Sequence, residues 1–201
     1  MVVVPGKAGR GKKNYTVEEI LEVIEGNDVK VIRLAFYDIC GNLKNIAVQA
    51  GGFLQIMRYG ISFGASAFRG FMNVEESDLF LYPDLSTLAV LPWRPQQGGV
   101  IRFYCDIKHP DGRMFDGDGR YLLKSVTTRA KAMGYTCKMG AECEFYLFEQ
   151  DENAEPTRIP QDEAGYCDVA PLDKGENIRR EICLNLEGMG VQPETSHHEH
   201  G

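Results

Sequence analysis

The sequence predicts an α+β protein, and three observations lead there. Segments alternating apolar and polar residues at the period of a strand recur between residues 29 and 107. Two short stretches of helical character accompany them, one before the first strand and one between strands. A polar segment rich in Gly and Asp, at 108–119, then leads into a second region of mixed helix and strand.

Taken in order, "NYTVEEILEVIEGND" reads as an amphipathic helix. Thr16 caps its start, Glu19 completes a capping box, and Ile20, Leu21 and Ile24 form the apolar face; Gly26 and Asn27 stop it. "VKVIRLAFYD" and "LKNIAVQA" alternate as strands around the turn "ICGN". "GGFLQIMRYG" reads as a helix, and "GISFGASAFRGFMNVEESD", without a clear period, as a loop. "STLAVLPW" and "VIRFYCDI" are strands flanking the turn "RPQQGG". Beyond the polar segment, Asp118 caps a helix through "GRYLLKSVTTRAKAMG". "YTCKMGAECEFYLFEQ" alternates as a strand, and "DENAEPTRIPQDEAGY" is a polar turn or small hairpin. Ile178, Ile182, Leu186 and Met189 give "LDKGENIRREICLNLEGMG" helical spacing, and "VQPETSHHEHG" reads as extended. Residues 1–13, rich in Gly and Lys, read as a loose tail.

The 201 residues carry a formal charge of −7, with 43% hydrophobic and 25% charged residues. That balance suits a water-soluble globular protein and argues against general nucleic-acid binding, which needs clustered Lys and Arg. No apolar run is long enough to span a bilayer and no signal-peptide pattern is present, so no membrane role is expected and the cytoplasm is the expected compartment. The six cysteines show no CxxC pair; most are expected to be reduced, buried thiols.

Two short stretches carry the chemistry. In "GAECEFYLF", Glu142 and Glu144 fall on one face of the expected strand. Two such carboxylates either form a solvated strand edge or share a hard divalent cation that offsets their repulsion. In "ETSHHEHG", an extended chain puts His197 and Glu199 on one face and His198 on the other. Glu199 interrupts the histidines, unlike a purification tag, which leaves a solvated terminus or the other part of a metal site.

Together these stretches resemble the glutamine synthetase family. "GAECEFYLF" is similar to that family's G-x-E-x-E-F-x-L-F strand, and "ETSHHEHG" to its H-H-E strand. "EESDLFLYPDLSTLAVLPW", "VIRFYCDI" and "DGRMFDGDGRYLLK" resemble further family segments, in the family's order, across residues 14–201. The resemblance implies a β-grasp domain at 14–107, followed by part of an antiparallel-sheet catalytic domain at 108–201. It also implies ATP-dependent joining of ammonia to the γ-carboxyl of glutamate, with Mg2+ or Mn2+, in a homo-oligomeric ring of sibling subunits.

By the same resemblance, Glu144 and Glu199 hold the ion beside glutamate, Glu142 holds the ion on the ATP phosphates, and Glu194 and His197 line the nucleotide and phosphate side. The loop "ISFGASAFRGF" serves a neighbouring subunit's site and carries Ser66 as its catalytic position. Two departures stand out. Gly64 occupies the place of an Asp that receives the ammonium proton, and Ser66 cannot replace it as a base. The family's later metal ligands and arginines do not occur within 1–201, so the chain reads as the first part of such an enzyme. Two alternatives are a ligase that joins glutamate to a larger amine, and a non-catalytic β-grasp module that pairs with sibling subunits.

Overall fold

The computed structural model describes residues 14–76, 78–93 and 98–200. The expected tail at 1–13, most of the turn at 94–97 and Gly201 lie outside the described residues. The chain forms two compact units that divide between Lys138 and Met139.

In the first unit, helix α1 (Val17–Gly26) begins with the expected capping box. Glu19 N–H donates to the Thr16 hydroxyl at 3.2 Å, and Thr16 N–H donates to the Glu19 carboxylate at 3.0 Å. Strands β1 (Val29–Tyr37) and β2 (Leu43–Gln49) form the antiparallel hairpin that their alternation predicts. A short 3-10 turn leads into α2 (Phe53–Tyr59), which stops at Gly60. Only glycine suits that stop, because φ is +68° and a Cβ would meet the Tyr82 ring at 2.9 Å.

The expected loop that follows is partly strand. β3 (Ile61–Gly64) pairs antiparallel with β4 (Asp78–Pro83), and β4 pairs with the long β6 (Gly99–Lys108). β5 (Ala89–Leu91) pairs with the other part of β6. The strand order is β2-β1-β6-β4-β3, and β1 runs parallel to β6 at the centre. Strict alternation on β6 buries Ile101, Phe103, Cys105 and Ile107 on one face. On β1 the burial parity breaks between Val29 and Ile32, where a register shift lies in its pairing with β6. Ile20 and Val23 of α1 and Phe53 and Ile56 of α2 join these strand residues in one core.

The polar segment after β6 folds back on it. Phe115 N–H donates to the Ile107 carbonyl at 2.9 Å. Buried Asp118 accepts the Ile107 N–H at 3.1 Å and the Arg120 N–H at 2.9 Å, so it both closes the turn and caps α3 (Gly119–Ala132). Arg120 and Lys124 of α3 then reach Asp84 at 2.7 and 3.2 Å, and Lys124 reaches Asp106 at 2.6 Å. This network places α3 with the sheet of the first unit.

Burial pushes the Asp84 carboxyl up, but the Ser86 hydroxyl, Lys124 and Arg120 outweigh it and hold the group below the usual carboxylate range. A depressed folded value stabilises above the ordinary carboxylate pKa, and that stability is lost as pH falls through the folded value. Asp84→Asn should therefore cost about 1 kcal/mol near neutrality, because Lys124 is part exposed and screened. The cost should vanish in strong acid. Urea midpoints at the two pH values check this, and a cost independent of pH would count against it.

The second unit holds a hairpin of β7 (Phe148–Gln150) and β8 (Pro156–Pro160), then helix α4 (Glu176–Gly188). Asp151 makes the hairpin turn by accepting the N–H groups of Asn153 and Glu155 at 2.8 and 2.9 Å. Of the strand expected at 135–150 only Phe148–Gln150 forms, and 191–200 carries no strand. Alternation prepares a segment to pair, but a strand exists only where a neighbouring ladder accepts its hydrogen bonds, and none does so for the remainder among the described residues. The cysteine expectation is also corrected. All six are free, yet only Cys105 is buried. Cys137 and Cys143 lie on the unpaired stretch, and Cys167 sits in a turn at φ 59°.

Candidate functional site

The loop at 61–71 is presented by an aromatic anchor. Phe63 and Ala65 point inward and are buried, while Gly64 and Ser66 between and beside them are exposed. Phe63 and Phe68 pack on Phe36 with ring centroids 4.9 and 5.4 Å apart, and Phe71 continues the stack to Phe115 at 5.1 Å. Gly64 has extended backbone (φ −73°, ψ 93°), and a Cβ built there meets nothing within 4 Å. Position 64 therefore has open space for a side chain.

In the second unit Glu142, Glu144, Glu194, His197 and Glu199 are all exposed. His197 Nδ1 lies 3.4 Å from the Glu199 carboxylate, so this pair shares a side as the alternation predicts. Tyr166 meets the His197 ring edge-on, with centroids 5.0 Å apart. Glu142, Glu144 and Glu199 do not form a group with ligand atoms within 4.8 Å of one another; among the described residues that closeness belongs to Asp162, Asp173 and His198.

This second trio is internally satisfied. His198 Nε2 is 2.9 Å from Asp162 Oδ1, and Asp173 is clamped by the Arg179 guanidinium and the Gly175 N–H. The Arg179 guanidinium, outweighing burial, holds the Asp173 carboxyl below the usual carboxylate range. Sequence reading missed Asp162, Asp173 and Arg179, because 36 residues separate Asp162 from His198 and no spacing rule links them.

Comparison with known proteins decides the family. The family described as "Glutamine synthetase, beta-Grasp domain" matches residues 28–110, and "Glutamine synthetase, catalytic domain" matches residues 116–201. The chain belongs to the glutamine synthetase family. It is 49% identical over 185 residues to the glutamine synthetase of Clostridium saccharobutylicum, covering 92% of this chain and 42% of that relative. To the glutamine synthetase of Methanosarcina mazei it is 44% identical over 188 residues, covering 94% and 42%. A solved GmaS/ADP complex superimposes with a TM-score of 0.76 at 26% identity, covering 89% of this chain and 41% of that one. A Plasmodium falciparum glutamine synthetase shares the fold, with a TM-score of 0.70 at 19% identity over 92% and 42%. The chain thus spans under half the length of these glutamine synthetase relatives. No helix among the described residues is long and apolar enough to cross a membrane.

The three carboxylates offer the hard oxygen donors that Mg2+ and Mn2+ prefer, so the donor chemistry of the glutamine synthetase segment fits such an ion. Glu142 and Glu144 are exposed on a stretch without a ladder, and Glu199 is exposed beside His197.

Proposed function

We propose that this chain serves ATP-dependent ligation of ammonia to the γ-carboxyl of glutamate. The observation that carries the reading is the pair of family matches in order along the chain, the E-x-E and H-H-E stretches lying inside the range of the second. Residues 14–107 act as the β-grasp domain and 108–201 as catalytic-domain sequence, in a cytoplasmic homo-oligomeric ring.

Glu144 and Glu199 hold one divalent ion and Glu142 a second, and the ions supply charge neutralisation between ATP and glutamate. Glu194 and His197 line the nucleotide side, where an imidazole N–H can donate to a phosphate oxygen. Ser66 stands on the β3 loop, which serves a neighbouring subunit's site. The γ-carboxylate takes the terminal phosphoryl group, and ammonia then displaces phosphate.

A second reading is favoured by Gly64. Open space and no charge at that position suit an amine larger than ammonia.

A chimera tests both readings. Residues 14–201 replace the matching part of the Clostridium saccharobutylicum relative, and γ-glutamyl product is measured with ammonium and with methylamine. ATP-dependent turnover that falls at least about 100-fold in Glu144→Gln is the expected outcome. A folded ring with no ATP-dependent product from either amine would refute the reading.

A further inference from the structure

We infer that Asp162 and His198 form a positioning pair that sets how His197 and Glu199 leave the chain, an inference resting on Glu199 being a metal ligand. Residues 191–200 have no strand ladder to orient them, so another restraint must do so. Four hydrogen bonds converge on His198, one of them between its carbonyl oxygen and His197 Nδ1 at 3.1 Å. Its Nε2 meets Asp162 Oδ1 at 2.9 Å, its Nδ1 meets the carbonyl oxygen of Glu199, and its own carbonyl accepts the Cys167 N–H at 2.9 Å.

Both ring nitrogens thereby face an oxygen of the protein, so neither is aimed at open solvent where an ion would sit. The Asp162 anchor is itself fixed, since its carboxylate accepts the Lys174 N–H at 2.8 Å and the Ala164 N–H at 3.3 Å. Asp173, tied to Arg179 and the Gly175 N–H, holds the following turn. With His198 turned toward Asp162, the neighbouring His197 and Glu199 share another side, 3.4 Å apart. Outer partners of this kind orient ligands without touching the metal, and their loss typically costs about 10- to 100-fold in metal affinity.

The test titrates Mn2+ into the 201-residue chain, read by water-proton relaxation. Wild type is compared with Asp162→Asn, His198→Gln, the double variant and the conservative Asp162→Glu. Cys167 amide exchange is followed by NMR in each.

Both single variants should weaken Mn2+ binding about tenfold and speed Cys167 amide exchange. The double variant should be no worse than either single one, and Asp162→Glu should recover part of the loss. Binding abolished in His198→Gln but unchanged in Asp162→Asn would make His198 a ligand and overturn the proposal, as would additive losses. If the wild type binds no Mn2+, or Glu199→Gln binds as well as wild type, the metal reading fails separately. The pair is then judged on the Cys167 amide: faster exchange in both single variants supports it, and an unchanged rate overturns it.

Discussion

Gly64→Asp in the chimera should raise the ammonium-dependent rate about 100-fold at limiting ammonium, because a positioned general base typically contributes 10²–10⁴. The backbone already permits the change, with ordinary extended angles and nothing within 4 Å of the new Cβ. Stability should therefore move by no more than about 0.5 kcal/mol, as for other exposed sites. Any gain in rate then belongs to the carboxylate. Gly64→Asn supplies the control, since it has similar size but accepts no proton, and its rate should stay near that of the Gly64 protein. Steady-state kinetics over an ammonium series checks this. An unchanged rate in Gly64→Asp, or an equal gain in Gly64→Asn, would remove the proton-accepting role assigned to this position. A fall in methylamine use that accompanies the ammonium gain would support the larger-amine reading of the native loop.

The largest stability effect should come from Phe103→Ala, at about 3–5 kcal/mol. Phe103 is fully buried on β6, the strand that pairs with β1, β4 and β5, and its ring stacks on Phe53 of α2 at 5.9 Å and 18°. Truncation removes that contact and leaves a void between sheet and helix, where close packing allows only partial collapse. Phe103→Leu keeps much of the apolar volume and should lose distinctly less. Urea unfolding followed by circular dichroism gives both values. A loss under about 1 kcal/mol for the alanine variant would show that the core does not depend on the contact between β6 and α2.

The parts of this protein that were legible in its sequence are those decided within a few residues. The Thr16–Glu19 box, the Asp118 cap, the alternation of β6, a turn within 151–166 and the spacing of α4 each follow from local chemistry. The E-x-E and H-H-E stretches stand out in the sequence too, but their residues alone left a solvated strand edge and a solvated terminus open beside a metal site, and only the resemblance to the family favoured the metal.

Other features needed the tertiary structure. β4 alternates Leu79 and Leu81, yet it lies between a Gly- and Ser-rich loop and Pro83 and was not read as a strand until β6 paired with it. Residues 135–147 of the strand expected at 135–150 had the right pattern and, among the described residues, no ladder to join. The parallel β1–β6 pairing joins residues about 70 apart, and Asp162 meets His198 across 36. Propensity, capping and alternation act over one or two turns of chain, whereas pairing and side-chain clamps are settled only when distant segments bury surface together. The sequence alone therefore determined the family that this chain resembles and the residues proposed to bear its chemistry. The tertiary structure decided which of them stand exposed and which is tied down beside Glu199, because orientation comes from hydrogen bonds that no local pattern encodes.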